Sequence, residues 1–560
     1  MLGFMKCFAA LSLVACFLLA PLQGQEKPAP APASPSDRLK IVSWNVLYGF
    51  NHGRSIEEGA QWIREQHADV LALQELNGFT AESLQGTADS FGHPHSALQK
   101  EQGFAMGLTS TAPIEVLERR VEGFHHGYLH CKTHGIEFFV VHFWPGKEHE
   151  LESVLAKVKS RIDAGAQVAI LGDFNSHSQK DSAYLASKSF EPRFDAIRSV
   201  ETAGLVDVVH RFDRGSLYSC PSPITIPKWS TDIADVESKR QRIDFIFLDK
   251  QLARRSRSAT ILQSKDLEAI SDHYPVVAEL ARLPHKRAVD AKRFAFGVVA
   301  DCQYCAAPAR GVRQYADSRW KLEACVDHLE TLAPSYVVHL GDFIDRGFES
   351  FDVVAPIYDA LTCDKYHVLG NHDYSVADEL KASVPQKLGL PSNYYEFAVD
   401  DWRFVVLDGN DISLYAHIEG SAEHTAALDF HSKHVPNAPV WNGALGSKQL
   451  EWLESVLRRA EAASEKVILY CHFPVFPEAN HNLWNANELL DLIEPYSCVK
   501  AYMNGHNHAG NYAIRDGIHF LTLKGMVDTR HTSYAVVEVY GEHLSVMGFG
   551  REIERSLRVR

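Results

Sequence analysis

Acidic, amide and imidazole side chains recur in this chain at the ends of short β-branched runs. In the first half they are Asn45, Glu75, His142, Asp173 with Asn175, Asp244, and Asp272 with His273. In the second half they are Asp301 with Gln303, Asp342, Asn371 with His372, His472, and His506 with His508. Carboxylates and imidazoles ligate metals and move protons, and a side-chain amide adds a neutral oxygen and two N–H donors. A lone Asp after a strand is an ordinary turn residue, and a lone buried His an ordinary core group, so it is the combination in order that points to chemistry.

Positioning these groups calls for alternating strands and helices. In residues 38–282, IVSWNV, VLALQE, FFVVHF, VAILGDFN and IDFIFL read as buried strands, while IEEGAQWIREQ and ELESVLAKVKSRI have helical spacing. In residues 294–560 the strands are FAFGVVAD, YVVHLGDF, YHVLGNHD, FVVLDGND, VILYCHF and YMNGHNH, each ending in polar residues. Such ends put their side chains at one rim of a sheet, where α/β proteins keep active sites. Between the two regions PHKRAVDAKR is poor in apolar residues and follows the strand-like YPVVAEL, so 283–293 is expected to be a linker. A chain of 560 residues is too long for one ordinary core, and no internal repeat crosses that boundary.

The first residues, MLGFMKCFAALSLVACFLLAPLQGQ, place Lys6 ahead of an apolar run from Cys7 to Ala20. That is the layout of an export signal, and the run is shorter than the roughly 20 residues that span a bilayer. Residues 1–24 are therefore expected to be a signal peptide, cut near Ala20 or Gly24, and the Pro/Ala-rich 25–37 an extended linker. The product would be secreted or periplasmic with no transmembrane span; LVAC ending at Cys16 also has the form of a lipoprotein box that would leave a lipid anchor. A formal net charge of −15 opposes avid binding to nucleic-acid backbones, so no stable nucleic-acid complex is expected. Beyond the signal, eight of the ten Cys remain, too sparse for a disulfide scaffold but compatible with one or two bridges. Cys302 and Cys305 form a CxxC, read either as a redox or zinc pair or as two small residues beside a strand end.

Throughout the first region SWN, LQE, VVHF, GDFN, RIDF and SDHYP resemble the endonuclease/exonuclease/phosphatase superfamily. The resemblance implies a hard divalent ion, magnesium or manganese, held by Glu75 with Asn45 and Asp272 nearby, to neutralise the phosphoryl oxygens of a phosphodiester. Asp173 would take a proton from the attacking water and Asn175 would donate to the phosphate. His273 would bind the phosphoryl group or act as acid/base with its tautomer fixed by Asp244. His142 resembles the second histidine of the deoxyribonuclease-like and sphingomyelinase-like branches and would protonate the leaving oxygen. A nucleic acid, a lipid head group or a small diester all remain open as substrates, and the domain could instead be a binding module. His93, His95, His125 and His126 are further histidines of this region, expected at the surface or in packing, with the lining of the first pocket as the alternative.

From Phe294 onward ADCQ, GDFIDR, GNHD, CHFP and GHNH resemble, in order, the blocks of calcineurin-like metallophosphoesterases. The resemblance implies a dinuclear centre: Asp301, Gln303, Asp342 and His508 on one ion, Asp342, Asn371, His472 and His506 on the other, with Asp342 shared. Two cations roughly 3.5–4 Å apart would activate a water for in-line attack. His372 would be the general acid, Arg346 would bind substrate, and Asp345 would support the site. Most relatives have His where Gln303 stands; an amide oxygen hardens the site and shifts preference from zinc toward manganese or magnesium, so a dinuclear manganese centre is expected, with iron or zinc as the alternative. With ADCQY, YHVLGNHDY, FVVLDGNDISL, NGALGSKQLEWL, GHNHAGNY and HFLTLKGMVDT, the region looks like the manganese-dependent ADP-ribose/CDP-alcohol diphosphatases, which implies a nucleoside diphosphate substrate linked to an alcohol or sugar. A general phosphomonoesterase or cyclic-nucleotide phosphodiesterase is the alternative. Both resemblances imply an α/β (α+β) fold of two tandem four-layer α/β/β/α sandwiches.

Overall fold

A computed structural model describes residues 38–282 and 291–559. The expected signal peptide and Pro/Ala-rich linker lie outside the described residues, as does most of the expected linker between the halves. Each half holds two six-stranded mixed sheets. In the first half one sheet runs Ser256–Ile261, Val276–Ala281, Arg38–Asn45, Val70–Gln74, Gly107–Ser110, His95–Leu98 in space. The other runs Glu115–Arg120, Tyr128–Thr133, Ile136–His142, Val168–Asp173, Asp244–Leu248, Val206–Asp207. The second half stacks Asp364–His367, Tyr336–His339, Phe294–Val299, Ser533–Val539, His543–Gly550, Arg555–Arg558 on Tyr395–Val399, Trp402–Val406, Lys466–Tyr470, Val499–Asn504, Ile518–Thr522, Asn511–Arg515.

The four layers follow from side-chain alternation. Along Ile136–His142, Phe138 and Val140 join Leu71 and Leu73 of the facing sheet, while Phe139 and Val141 pack with Val154 and Ile197 of the helices Glu148–Asp163 and Asp195–Thr202. Phe404 and Val406 likewise meet Phe296 and Val298, whereas Val405 and Leu407 meet Leu453 and Leu457 of the helix Ser447–Ala462. A strand buried on both faces must be apolar throughout, which is why these runs carry little polar alternation until their last residues.

The halves are joined by more than a linker. Val208, Val209 and Phe212 of the first half share one apolar cluster with Leu322, Val326 and Leu329 of the helix Ser318–Leu332 in the second. Around it, Arg257 pairs with Glu554 at 2.7 Å and lies over the Phe549 ring at 4.7 Å, and Arg214 pairs with Glu323 at 3.1 Å. All eight cysteines of the described residues are free thiols. Cys302 is fully buried, its thiol pushed up to about 12 by burial, and Cys305 lies 3.7 Å from Asp345, so this pair packs beside a strand end. No helix among the described residues is long and apolar enough to cross a membrane.

Candidate functional site

Strand register assembles the first site. His142, Asp173 and Asp244 are direct partners across three neighbouring strands, so their side chains leave the sheet in one row. Asn45 and Gln74 end the parallel pair of the opposite sheet, and Glu75 follows at once. Asn45 Nδ2 donates to Glu75 Oε1 at 3.1 Å and to Asp173 Oδ2 at 3.2 Å, tying the sheets together, while its Oδ1 accepts from Leu47 N. His273 Nδ1 lies 2.7 Å from Asp244 Oδ2 and donates its proton there, turning Nε2 toward Asp173 at 4.0 Å. His142 Nε2 stands 3.5 Å from the same carboxylate. Asn175 Nδ2 donates to Phe143 O at 3.0 Å, which leaves its second amide N–H free. Asn175, Asp272 and His273 form one wall of a cavity of about 450 Å³ faced by Phe190, Trp229 and Lys239.

Charge is crowded here. Burial, then the neighbouring Asp272, raises Glu75, and burial also raises Asp272. Burial and Asp244 push Asp173 up to about 8. Against burial, Asp244 and Asp272 hold His273 well above the ordinary imidazole range, whereas burial and His126 hold His142 well below it. Buried carboxylates this close are stabilised by a bound divalent cation, and Asp173, Asp244 and His273 offer atoms close enough to share one. The donor set therefore fits a metal.

In the second half three parallel strands end together at Val299, His339 and His367, so Asp301, Asp342 and Asn371 emerge at one rim. Tyr470 and Met503, paired in the facing sheet, deliver His472 and His506 to the same place. Asp342, His472 and His506 offer atoms that could share one ion. Each histidine has its outer nitrogen tied to an oxygen: His472 Nδ1 to Leu340 O at 2.8 Å, His506 Nε2 to Asn442 Oδ1 at 2.9 Å, His508 Nδ1 to Asp528 Oδ1 at 2.9 Å. That fixes the tautomers and turns a lone pair inward, the arrangement of metal-ligating histidines. Among the described residues the buried Gln303 Oε1 and Asn371 Oδ1 have no hydrogen-bond partner, as suits two amide oxygens meant for cations. Against burial, Asp342 raises His472 to about 9 and Asp301 raises His508 to about 9; a field that favours a proton there also favours a metal ion. His372 Nδ1 faces Asp345 at 3.3 Å and its ring remains partly exposed, and Arg346 Nε donates to Asp345 at 2.6 Å with its side chain 58% exposed.

Both sites use the same backbone device. Glu75, Asn175, Asp301, Gln303, Asp342 and His506 all have positive φ, between 44° and 66°. Non-glycine residues held there cost about 1–3 kcal/mol each, and such strain gathers at functional sites. It swings the side chain after a strand back across the rim. The same turns require glycine nearby: a Cβ on Gly370 would strike the Asp342 carboxylate, and one on Gly341 would sit 2.5 Å from His472 Nδ1.

Sequence reasoning missed several partners. Asp373 accepts from the N–H groups of Asp342 at 3.0 Å, Phe343 at 2.8 Å and Gly370 at 2.9 Å, clamping two ligand loops together. Asn442 and Asp528 lie inside quoted blocks, but nothing local marks which polar residue faces a ligand 64 or 20 positions away. The His126 ring stacks on that of His142 at 4.4 Å and 7°, at the edge of the first site. His125 stacks on Trp144 at 4.6 Å, and His93 is satisfied in the core by Thr109 Oγ1 and Ala68 O.

Residues 294–510 match the calcineurin-like phosphoesterase family and residues 42–273 the endonuclease/exonuclease/phosphatase family. A manganese-dependent ADP-ribose/CDP-alcohol diphosphatase of Arabidopsis thaliana is 30% identical over 294 residues, 46% of this chain and 94% of that protein. One of Xenopus laevis is 26% identical over 339 residues, 50% of this chain and 95% of that protein. The crystal structure of a dimetal phosphatase from Danio rerio aligns with 48% of this chain and all of its own, at 26% identity and a TM-score of 0.45. The two family matches, the Arabidopsis relative and the two metal-fitting clusters make the chain a metal-dependent hydrolase of phosphate esters, one that belongs to the calcineurin-like phosphoesterases through its second half and carries an endonuclease/exonuclease/phosphatase domain in its first.

Proposed function

We propose that this chain is an exported bifunctional phosphoesterase: its second half hydrolyses the diphosphate bond of nucleoside diphosphates linked to an alcohol or sugar, such as ADP-ribose or a CDP-alcohol, and its first half hydrolyses phosphodiesters. The observation that carries the reading is the second cluster, where two orphaned amide oxygens and three oriented histidines gather at Asp342 and Asp301. Amide and carboxylate oxygens beside imidazoles suit manganese, and the relatives covering this half are named manganese-dependent. For export, the support is the Lys6-led apolar run and the small residues that follow it.

Divalent ions, when bound, supply the charge that neutralises phosphoryl oxygens and the acidity that makes water a nucleophile. The remaining work belongs to the chain. In the second half His372, held through Nδ1 by Asp345, presents Nε2 to protonate the leaving oxygen, and Arg346 offers its outer N–H groups to an anionic substrate. In the first half Asp173 accepts the proton of the attacking water, Asn175 gives its free amide N–H to the phosphoryl group, and His273, oriented by Asp244, faces that group. His273, kept charged by Asp244 and Asp272 against burial, carries the proton for the leaving oxygen, while His142, held neutral by burial and His126, stands beside Asp173 at 3.5 Å.

Because the halves share an apolar cluster, the test uses the full chain. Parent, Asp342→Asn and Asp173→Asn proteins are offered ADP-ribose, CDP-choline, cyclic AMP, p-nitrophenyl phosphate and bis(p-nitrophenyl) phosphate with manganese. Asp342→Asn should abolish turnover of the first two and Asp173→Asn turnover of the diester. A preference for p-nitrophenyl phosphate by orders of magnitude defeats the diphosphatase reading, and diester turnover untouched by Asp173→Asn makes the first half a binding module. N-terminal sequencing of protein recovered outside the cytosol should begin just after Ala20 or Gly24.

A further inference from the structure

Three features of one loop, residues 525–532, tie the two halves together. Its backbone holds Asp301: Met526 N donates to Ala300 O at 2.9 Å and Val527 N to Asp301 O at 2.9 Å. Its Asp528 orients His508 at 2.9 Å. Both residues are read above as ligands of the same ion. The loop has little regular structure of its own and bends through Thr529 at φ 60°, so its position depends on anchors. From below, the buried Lys321 Nζ donates to Met526 O at 2.7 Å, Val527 O at 3.0 Å and Thr529 O at 2.8 Å. The second anchor is Arg530, two residues after Asp528, and it reaches into the first half. Its Nε lies 3.3 Å from Asp213 Oδ2, and its terminal nitrogens donate to Ile261 O at 3.3 Å, Thr260 Oγ1 at 3.4 Å and Gln263 Oε1 at 3.5 Å. Asp213 is itself buried and held by Ser216 Oγ at 2.5 Å and Thr260 Oγ1 at 2.6 Å.

We propose that Arg530 and Asp213 are positioning residues through which the first half sets the Asp301/His508 side of the second half's metal centre. The proposal rests on the metal-centre reading above. It gives the fusion a physical consequence: the second half's site is completed by packing against the first. Groups that orient a metal-ligating histidine change metal affinity about 10–100-fold when removed, and an anchor one step further out should act at the low end of that range.

Manganese is titrated calorimetrically into the full chain in a Glu75→Gln, Asp173→Asn background, which takes a carboxylate from each donor group read at the first site, comparing Arg530→Ala, Arg530→Lys and Asp213→Asn with their parent. One of two binding events should weaken about tenfold in Arg530→Ala and Asp213→Asn while the other stays within about twofold. Arg530→Lys should recover part of the loss, since it keeps the charge without the guanidinium fork. Thermal unfolding of the metal-free proteins, followed in parallel, should move little. Unchanged affinities in all variants overturn the coupling and leave the metal centre standing. Equal weakening of both events with a lowered midpoint also overturns it, as general destabilisation, and a parent that binds no manganese overturns both the centre and the coupling.

Discussion

In the second site His472, His506 and His508 each have an outward nitrogen bonded to oxygen, whereas at the first site His273 is so held, by Asp244, and His142 Nδ1 is not. His142 and His126 instead stack on one another, and among the described residues His142 Nδ1 and His126 Nε2 are buried without a hydrogen-bond partner. The second site ties down the outer nitrogens of His472, His506 and His508 and adds two bare amide oxygens, an arrangement that suits a pair of cations. The first gathers Glu75, Asp173, Asp244 and Asp272 about one locked imidazole, His273, and holds His142 by stacking on His126. Preorganising a ligand and tuning an acid are different demands on the same side chain: the first needs a locked tautomer, the second a shifted proton affinity.

That contrast can be broken at several points. Asp342→Asn removes the carboxylate common to both proposed ions and should lower diphosphate turnover by about 10³-fold or more, with diester turnover unchanged; a parallel fall of both activities would mean the centres are not independent. Asp244→Asn should cost about 10²-fold or more in diester turnover, since His273 loses the partner that sets its tautomer and its charge. Asp528→Asn should weaken manganese binding about 10–100-fold with a smaller change in turnover at saturating metal; an unchanged titration would show that His508 needs no outer partner.

The smallest expected effect is on stability against acid. Burial, with His125 and Lys100 adding, pushes His126 down to about 4 from 6.5. Below pH 6.5 the unfolded chain takes up a proton that the fold refuses until about 4, so stability falls across that window as pH drops, by about 3 kcal/mol from this group. His126→Phe keeps a ring against His142 and cannot protonate; denaturant midpoints at pH 7 and pH 4.5 should lie closer together than in the parent. An identical acid loss in both would remove His126 as its source.

Much of this was legible in the sequence. The strand segments ending at Asn45, His142, Asp173, His339 and Asn504 are where the apolar runs placed them, because burial on both faces of a sheet demands an uninterrupted apolar string. The antiparallel edge strands Glu115–Arg120 and Asn511–Arg515 were not, since one alternates exposed and half-buried residues and the other is half-buried, so neither has an apolar string to mark it. The proposed ligands of the second half were readable because each follows a glycine or a strand within a short block.

What the sequence settled by itself is the inventory: which acids, amides and imidazoles stand at strand ends, and that Gln303 offers oxygen in place of nitrogen. Only the tertiary structure decided which of them meet, that Asp373 clamps two ligand loops, that Asp528 and Asn442 orient histidines, and that Arg530 crosses to Asp213. The reason is range. Strand and turn preferences act over a few neighbouring residues, whereas a hydrogen bond between groups tens or hundreds of positions apart exists only after two sheets have packed and brought their rims together.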